Sequence, residues 1–326
     1  MSHATITVRR FLRDRRATVG AVVLGMLALV GIFAELLAAP APLLVLGPGH
    51  VDVAPAIKRP YASSEDPDKP YADAFVVWPI VRASPTAPTS AGPFAPSSAA
   101  HPLGTDEKGR DIFARVVYGA RNALGLSVAA IFLSTVFGVF LGGLSGIRGG
   151  VSRTVLVRLV ETVDSFPAII VVALVWAIER QPSSLSLILA IAFVRWAEVA
   201  RLVHAESMRA TTEDYALAAR ALGASRTRIF LQHVLPNALG PVTVSSVFGV
   251  ASVVLLDASL AFLEMGTPSD SASWGELLAQ GARHPEALRL LILPGALLLA
   301  TVGASYLLAE ALREAMDPRA ARASLR

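Results

Sequence analysis

The sequence contains no cysteine, so it offers no disulfide framework, no thiol nucleophile and no thiolate ligand for zinc. It is also short of charge. Asp, Glu, Lys and Arg make up 17% of its 326 residues, against about 25% in ordinary soluble domains. With 54% hydrophobic residues and a mean hydropathy of +0.57, the composition excludes an ordinary soluble globule and points to a chain that crosses a membrane several times. Several catalytic motifs are missing too. No Gly-x-x-x-x-Gly-Lys-Ser/Thr loop is present to cradle ATP phosphates. His3, His50, His101, His204, His233 and His284 are scattered without metal-ligand spacing, and the nucleophile elbow Gly-x-Ser-x-Gly is absent. Asp164 and Asp257 are acids near apolar runs, but both fall near predicted helix ends, which disfavours an intramembrane protease. The expectation is a chain that is not itself an enzyme, with no metal and no cofactor of its own.

What the sequence has in abundance is apolar runs. A helix needs roughly 20 mostly apolar residues to span a bilayer. Asn122–Ile147, Val234–Leu256 and Leu290–Ala309 each meet that length without a charge. Near the N-terminus, Arg9, Arg10, Arg13, Arg15 and Arg16 precede the uncharged run Ala17–Ala34. That run is longer than the apolar core of a signal peptide, and Pro40 disfavours cleavage at the only small-residue site, so it reads as an uncleaved first span. Two weaker spans complete a set of six. Leu159–Ile178 carries Glu161, Asp164 and Pro167, and Ser184–Val203 carries Arg195, Glu198 and Arg201. The three-residue spacing predicts that Arg195, Glu198 and Arg201 share a helix face and neutralise one another. Either that helix end emerges into the cytosol with Arg201 snorkelling, or a polar group of this helix lines a solute cavity.

Six spans put both termini on one side. The Arg-rich N-terminal tail, the loop with Arg148, Arg153 and Arg158, the segment with Arg209, Arg220, Arg226 and Arg228, and the tail with Arg313, Arg319, Arg322 and Arg326 all fall on that side. Loops rich in Lys and Arg stay in the cytoplasm, which predicts that both termini are cytoplasmic. Between Pro40 and Pro102 the chain holds 13 prolines, a density that predicts an extended outer loop without helix or sheet. Some order is expected around Tyr71, Phe75 and Trp78-Pro79, with Ser84–Ser98 as a semi-rigid spacer.

The most informative stretch is Arg209–Pro241, too polar to span and too patterned for a slack loop. Thr211 reads as a helix cap, Tyr215–Leu222 as a short helix rich in Ala and Leu, and Gly223 as its C-terminal turn. Ser225 caps a second short helix to Val234, and Pro236 marks a break before the fifth span. A DNA-binding helix-turn-helix is disfavoured by the flanking spans, and an amphipathic helix in the headgroups is a plainer alternative. The small surface of Ala216, Ala218, Ala219 and Ala221 predicts close docking against another protein.

Tyr215-Ala216-Leu217-Ala218-Ala219-Arg220-Ala221-Leu222-Gly223-Ala224-Ser225 followed by His233-Val234-Leu235-Pro236-Asn237 resembles the EAA loop of binding-protein-dependent ABC permeases. Ala218, Ala219, Gly223, Leu235 and Pro236 match that pattern, while Leu217 stands where its Glu would be. Leu103–Arg121, Asp257–Leu263, Ser273–Leu278 and Leu312–Arg319 are similar to blocks of the C-type subunit of dipeptide and oligopeptide importers, with Glu264 at a usual Gly. Phe75–Ile80 resembles the subgroup for oligopeptides and microcin C.

The resemblance implies an all-α integral membrane fold of six transmembrane helices, a cytoplasmic two-helix coupling loop and a Pro-rich periplasmic insertion. Residues 1–38 would form a tail and first span, 39–120 a periplasmic loop, 121–312 a five-helix core with coupling loop 209–236, and 313–326 a cytoplasmic tail. It implies ATPase contact through Glu213, Tyr215, Leu217, Ala218, Ala219, Gly223, Ala224, Leu235 and Pro236. It also implies a periplasmic motif of Gly104, Thr105, Asp106, Gly109, Arg110 and Asp111. Gly104, Asp106, Gly109 and Asp111 suit a tight turn followed by a capped helix along the membrane surface, and the motif's plainer reading is a structural connection rather than contact with a binding protein. The implied partners are a second homologous permease, two ABC ATPases that bind ATP and Mg, a periplasmic or lipid-anchored binding protein, and membrane lipid, with no nucleic acid. An ion-gradient-driven secondary transporter and a non-transporting membrane anchor are the rival readings.

Overall fold

The computed structural model describes residues 10–47, 50–53, 75–148, 150–180, 182–210, 213–265 and 271–316. The basic ends at 1–9 and 317–326, Tyr71 and Thr211 lie outside them. The described chain is mostly helical. Its elements are α1 (Arg15–Ile32), α2 (Ala34–Leu37), β1 (Leu44–Gly47), β2 (His50–Val53), β3 (Phe75–Val77), α3 (Ile112–Arg148), α4 (Gly150–Asp164), α5 (Ala168–Glu179), α6 (Ser184–Ala210), α7 (Asp214–Ala221), α8 (Arg226–Ile229), a π-helical turn (Phe230–Val234), α9 (Leu235–Phe262), α10 (Trp274–Arg283) and α11 (Arg289–Met316). Four described helices are long and apolar enough to cross a membrane: Arg15–Ile32, Ile112–Ile147, Arg226–Phe262 and Arg289–Met316. A fifth is added if α4 and α5 count as one span, but the two are bent by 76°. The expected third span is therefore not a straight helix. Pro167 has no N–H to donate and disfavours helical backbone at Phe166, so the helix stops at Asp164 and restarts at Ala168.

The chain forms two compact units. The first comprises Met1–Val22, Leu126–Val253 and Val302–Arg326. Within it α3 and α6 pack through glycines one helical turn apart. A Cβ on Gly138, Gly142 or Gly146 would stand 2.5–2.6 Å from Val199, the Ala200 carbonyl or Ser207, so only glycine permits this approach. The charges of α6 sort differently from their sequence spacing. Arg195 pairs with Glu198 at 2.9 Å, but Arg201 leaves that face and bonds Asp164 at the end of α4, at 2.6 Å.

The second unit comprises Val23–Gly125 and Val254–Thr301. Here the expectation of an all-α chain with an extended insertion lacking sheet is corrected, although the order expected around Phe75 is present as a strand. β2, β1 and β3 form an antiparallel sheet in that order, with Leu44 opposite Val77 and Leu46 opposite Phe75. The three strands occupy proline-free gaps in the insertion, so its prolines bound the ladder without interrupting it. The Ser84–Ser98 tract is not a spacer either. Ser84 Oγ accepts from the Thr86 and Ala87 amides, Thr89 bonds Gly109 O, and the Phe94 amide donates to Asp106 O. Those bonds fasten the tract to the turn before α3.

Candidate functional site

The segment implied to carry coupling lies in the first unit. α7 begins one residue after Glu213, which makes no side-chain cap bond but lies 3.7 Å from Arg209. The helix ends as its glycine requires. Gly223 has φ +82, its amide donates to Arg220 O at 2.9 Å, and the Ala224 amide donates to Ala219 O at 3.0 Å. These are the paired bonds of a Schellman turn. Ser225 then caps α8, accepting from the Arg228 amide at 3.3 Å. The expected break at Pro236 does not occur. Arg226–Phe262 runs on as one long helix through the π turn, in which the Leu235 amide reaches back to Phe230 O. A wider turn gives the Pro236 ring room beside the carbonyls it would crowd in α geometry, so the proline is absorbed.

The alanine surface divides. Ala216 is buried, and Ala219, Ala224 and Leu235 pack on a cluster that includes Val203, Ile229, Phe230 and Val234. Ala218 and Ala221 face outward with Tyr215, Leu217 and Leu222, the last 89% exposed. The docking face expected at Ala216 and Ala219 is thus their inner seat, and the outward face is larger and more apolar than alanine alone provides. Tyr215 also meets the His233 ring, with centroids 5.6 Å apart, while Pro236 is exposed in the first turn of α9. Beside this segment opens a cleft of about 990 Å³, lined among others by Glu198, Glu206, Glu213, Tyr215, Ser245 and Arg313. Glu198, which accepts from Ser245 Oγ at 2.6 Å, therefore lines a cavity.

The outer motif lies in the second unit and is built as a closed block. Gly104 and Gly109 have φ +72 and +76, and a Cβ on Gly104 would collide with the Ala95 carbonyl. Thr105 Oγ1 donates to Gly92 O at 2.6 Å and accepts from the Ala95 amide at 2.7 Å. Asp106 accepts from the Lys108 and Arg110 amides, each at 2.9 Å, and from Arg110 Nε at 2.8 Å. Asp111 accepts from the Ala114 amide at 2.8 Å and meets His101 Nδ1 at the same distance. Burial raises the Asp111 pKa against these bonds. The capped helix is not a separate element along the membrane surface: α3 continues from the cap into the span.

Sequence reasoning missed the partner that completes the block. Glu276 bonds Arg110 at 2.7 Å and Arg115 at 2.5 Å. Arg115 and Asp106 are fully buried. Burial by itself would raise the Glu276 pKa, but Arg115 and Arg110 overcome it and hold it at about 2. Glu276 stands within Ser273–Leu278, and the sequence signal for its role is the presence of two arginines, Arg110 and Arg115, beside an apolar run. Two carboxylates balance the charge of two guanidiniums, and Arg115 also donates to the Pro85 carbonyl at 3.0 Å, so this block braces the fold.

Residues 123–322 match the family model described as binding-protein-dependent transport system inner membrane component, and residues 4–55 match that of the N-terminal TM domain of oligopeptide transport permease C. The chain is 32% identical over 229 residues to the oligopeptide transport system permease protein OppC of Bacillus subtilis (strain 168), spanning 69% of this chain and 73% of that protein. It is 34% identical over 220 residues to OppC of Haemophilus influenzae, spanning 67% and 70%. Against the dipeptide transport system permease protein DppC of the same organism it is 34% identical over 221 residues, spanning 68% and 75%.

Proposed function

The chain belongs to the family of binding-protein-dependent transport system inner membrane components, and from that premise we propose that it forms half of the solute path of an ATP-driven peptide importer. The peptide substrate rests on relatives named as oligopeptide and dipeptide transport permeases. The observation that carries the coupling role is the outward face of α7 and its turn. Tyr215, Leu217 and Leu222 are exposed there, while Ala216 and Ala219 root the helix in the packed cluster below. An apolar face on a rigid, polar-flanked loop suits a protein cleft.

In this reading Glu213, Tyr215, Leu217, Ala218 and Gly223 meet a separate ATPase, Ala219, Ala224 and Leu235 seat the segment on the cluster beneath it, and Pro236 stands exposed beside it at the start of α9. A second homologous permease carries the matching segment, and two ATPases bind ATP and Mg, so this chain needs no cofactor of its own. Closure of the ATPase pair pushes the segments, and the path changes the side to which it opens. A periplasmic or lipid-anchored binding protein delivers peptide to a mouth stiffened by Gly104, Thr105, Asp106, Gly109, Arg110 and Asp111. Six spans follow when α4–α5 and α6 join the four long apolar helices, with residues 39–120 outside, a core at 121–312 holding the coupling loop 209–236, and the 1–38 and 313–326 ends running into the cytoplasm.

Reconstitution with both ATPases, the second permease and the binding protein tests this. Import should require ATP and be indifferent to proton or sodium gradients. Gly223→Pro should abolish import while leaving membrane insertion normal. Import at the parent rate by that variant would overturn the coupling role, and import driven by an ion gradient without ATP would overturn the transport class.

A further inference from the structure

The insertion after α1 carries an apolar surface to which the proposed function assigns no role. Directly opposed residues of paired strands lie on one side of a sheet, so Leu44, Leu46, Phe75 and Val77 share a face, while Val45 on the other face is buried. Phe75 is 66% exposed, and Leu46 and Val77 are exposed beside it. Just beyond β3, Ile80 is 75% exposed. Its position is fixed: the Ile80 amide donates to Leu36 O at 3.3 Å and the Val81 amide to Leu37 O at 2.9 Å. Ile80 therefore sits beside the end of α2, where Ile32, Phe33 and Leu36 are exposed as well.

The depth of that point follows from helix length. α1 has 18 residues, about 27 Å at roughly 1.5 Å per residue, close to the roughly 30 Å of a hydrocarbon core. Ile80 is thus tied to the level at which hydrocarbon gives way to headgroups. Trp and Arg suit that level, since each has an apolar body and a polar end. Here the Arg82 guanidinium stands 4.2 Å from the centroid of the Trp78 ring.

We propose that the face of Leu46, Phe75 and Val77, together with Ile80, is seated in the lipid of the leaflet at the C-terminal end of α1. The insertion is then a membrane-surface anchor, not a loop free in water. Lipid is favoured over a protein occupant because Ile80 is bonded to α2, which directly follows the span-length apolar helix α1, and Ile32, Phe33 and Leu36 at that junction are exposed. A protein would have to displace that lipid.

The absence of cysteine provides the background for the test. Phe75→Cys and Ile80→Cys are spin-labelled in the full chain and reconstituted into phosphatidylethanolamine–phosphatidylglycerol vesicles. Phe132→Cys, exposed within α3, serves as the lipid reference and Ala99→Cys, exposed in the outer segment, as the aqueous one. Collision with oxygen should exceed collision with a water-soluble nickel chelate at positions 75 and 80, as at 132 and opposite to 99. Values matching position 99, or exclusion of both reagents as under a protein cover, overturn the proposal. If the cysteine variants fail to fold, the fluorescence difference between the unaltered chain and Trp78→Phe replaces them. Trp78 emission should be quenched by lipid brominated near the headgroup, and no quenching overturns the anchor.

Discussion

Glu276 shows how much one side chain decides in the second unit. Its carboxylate lies between two guanidiniums, and among the described residues Asp106 is the other acid bonded to Arg110. The folded state lowers its pKa from 4.5 to about 2, so its contribution to stability is complete above pH 4.5 and is lost as the pH falls towards 2. A shift of that size corresponds to roughly 3 kcal/mol. Glu276→Gln leaves Arg115 buried without its carboxylate and should destabilise the chain by about 3–5 kcal/mol at neutral pH. Unfolding in detergent measures this, and the deficit relative to the parent should shrink through the same acid window. Glu264 makes the opposite case. It sits at φ +62 in a Schellman turn formed by the Glu264 amide on Ala261 O and the Met265 amide on Leu260 O. A glycine would be relaxed at this place, since an L-residue there is strained by about 1 kcal/mol. With the exposed Arg283–Glu264 pair removed by Arg283→Ala, Glu264→Gly should raise stability by about 1 kcal/mol.

Among elements, the join between α3 and the coupling segment is close-packed. A Cβ on Gly143 would lie 2.5 Å from the Phe230 ring, in the π turn that leads from α8 into α9. The obstruction is a side chain that can be made smaller, so Gly143→Ala should lower ATP-dependent import and Phe230→Leu in the same chain should restore much of it. Gly142 has no such relief. There the Ala200 carbonyl is the obstacle, so Gly142→Ala should cost about 1–3 kcal/mol by forcing α3 from α6, read as a lowered melting temperature that Val203→Ala does not repair. Recovery by that second change would show that side-chain packing, not backbone approach, sets the limit.

For the whole molecule, the central expectation is separation of labour: membrane helices here, nucleotide chemistry in a partner. Leu222 tests it cleanly because its side chain is spent on nothing inside the chain. Leu222→Asp should change stability by no more than about 0.5 kcal/mol while abolishing co-purification with the ATPase and hence import. Ala219 is a poor probe of the same contact. It packs inward, so bulk there would lift α7 from its seat.

Properties carried by short stretches were legible in the sequence. Apolar length located the long helices, and the missing charge excluded a soluble fold. Gly223 announced a left-handed turn, and Asp111 a cap, because turns and caps are settled by residues a few positions apart. Other features depended on neighbours far along the chain. Asp164, not Glu198, receives Arg201 because two helices meet there. Glu276 closes a block begun at Asp106, and the outer strands find one another between prolines. The inward or outward sense of Ala216, Ala218 and Ala219 likewise required the cluster beneath them. Local chemistry determines which conformations a segment can adopt; packing decides which charge is neutralised by which, and which face is left for a partner.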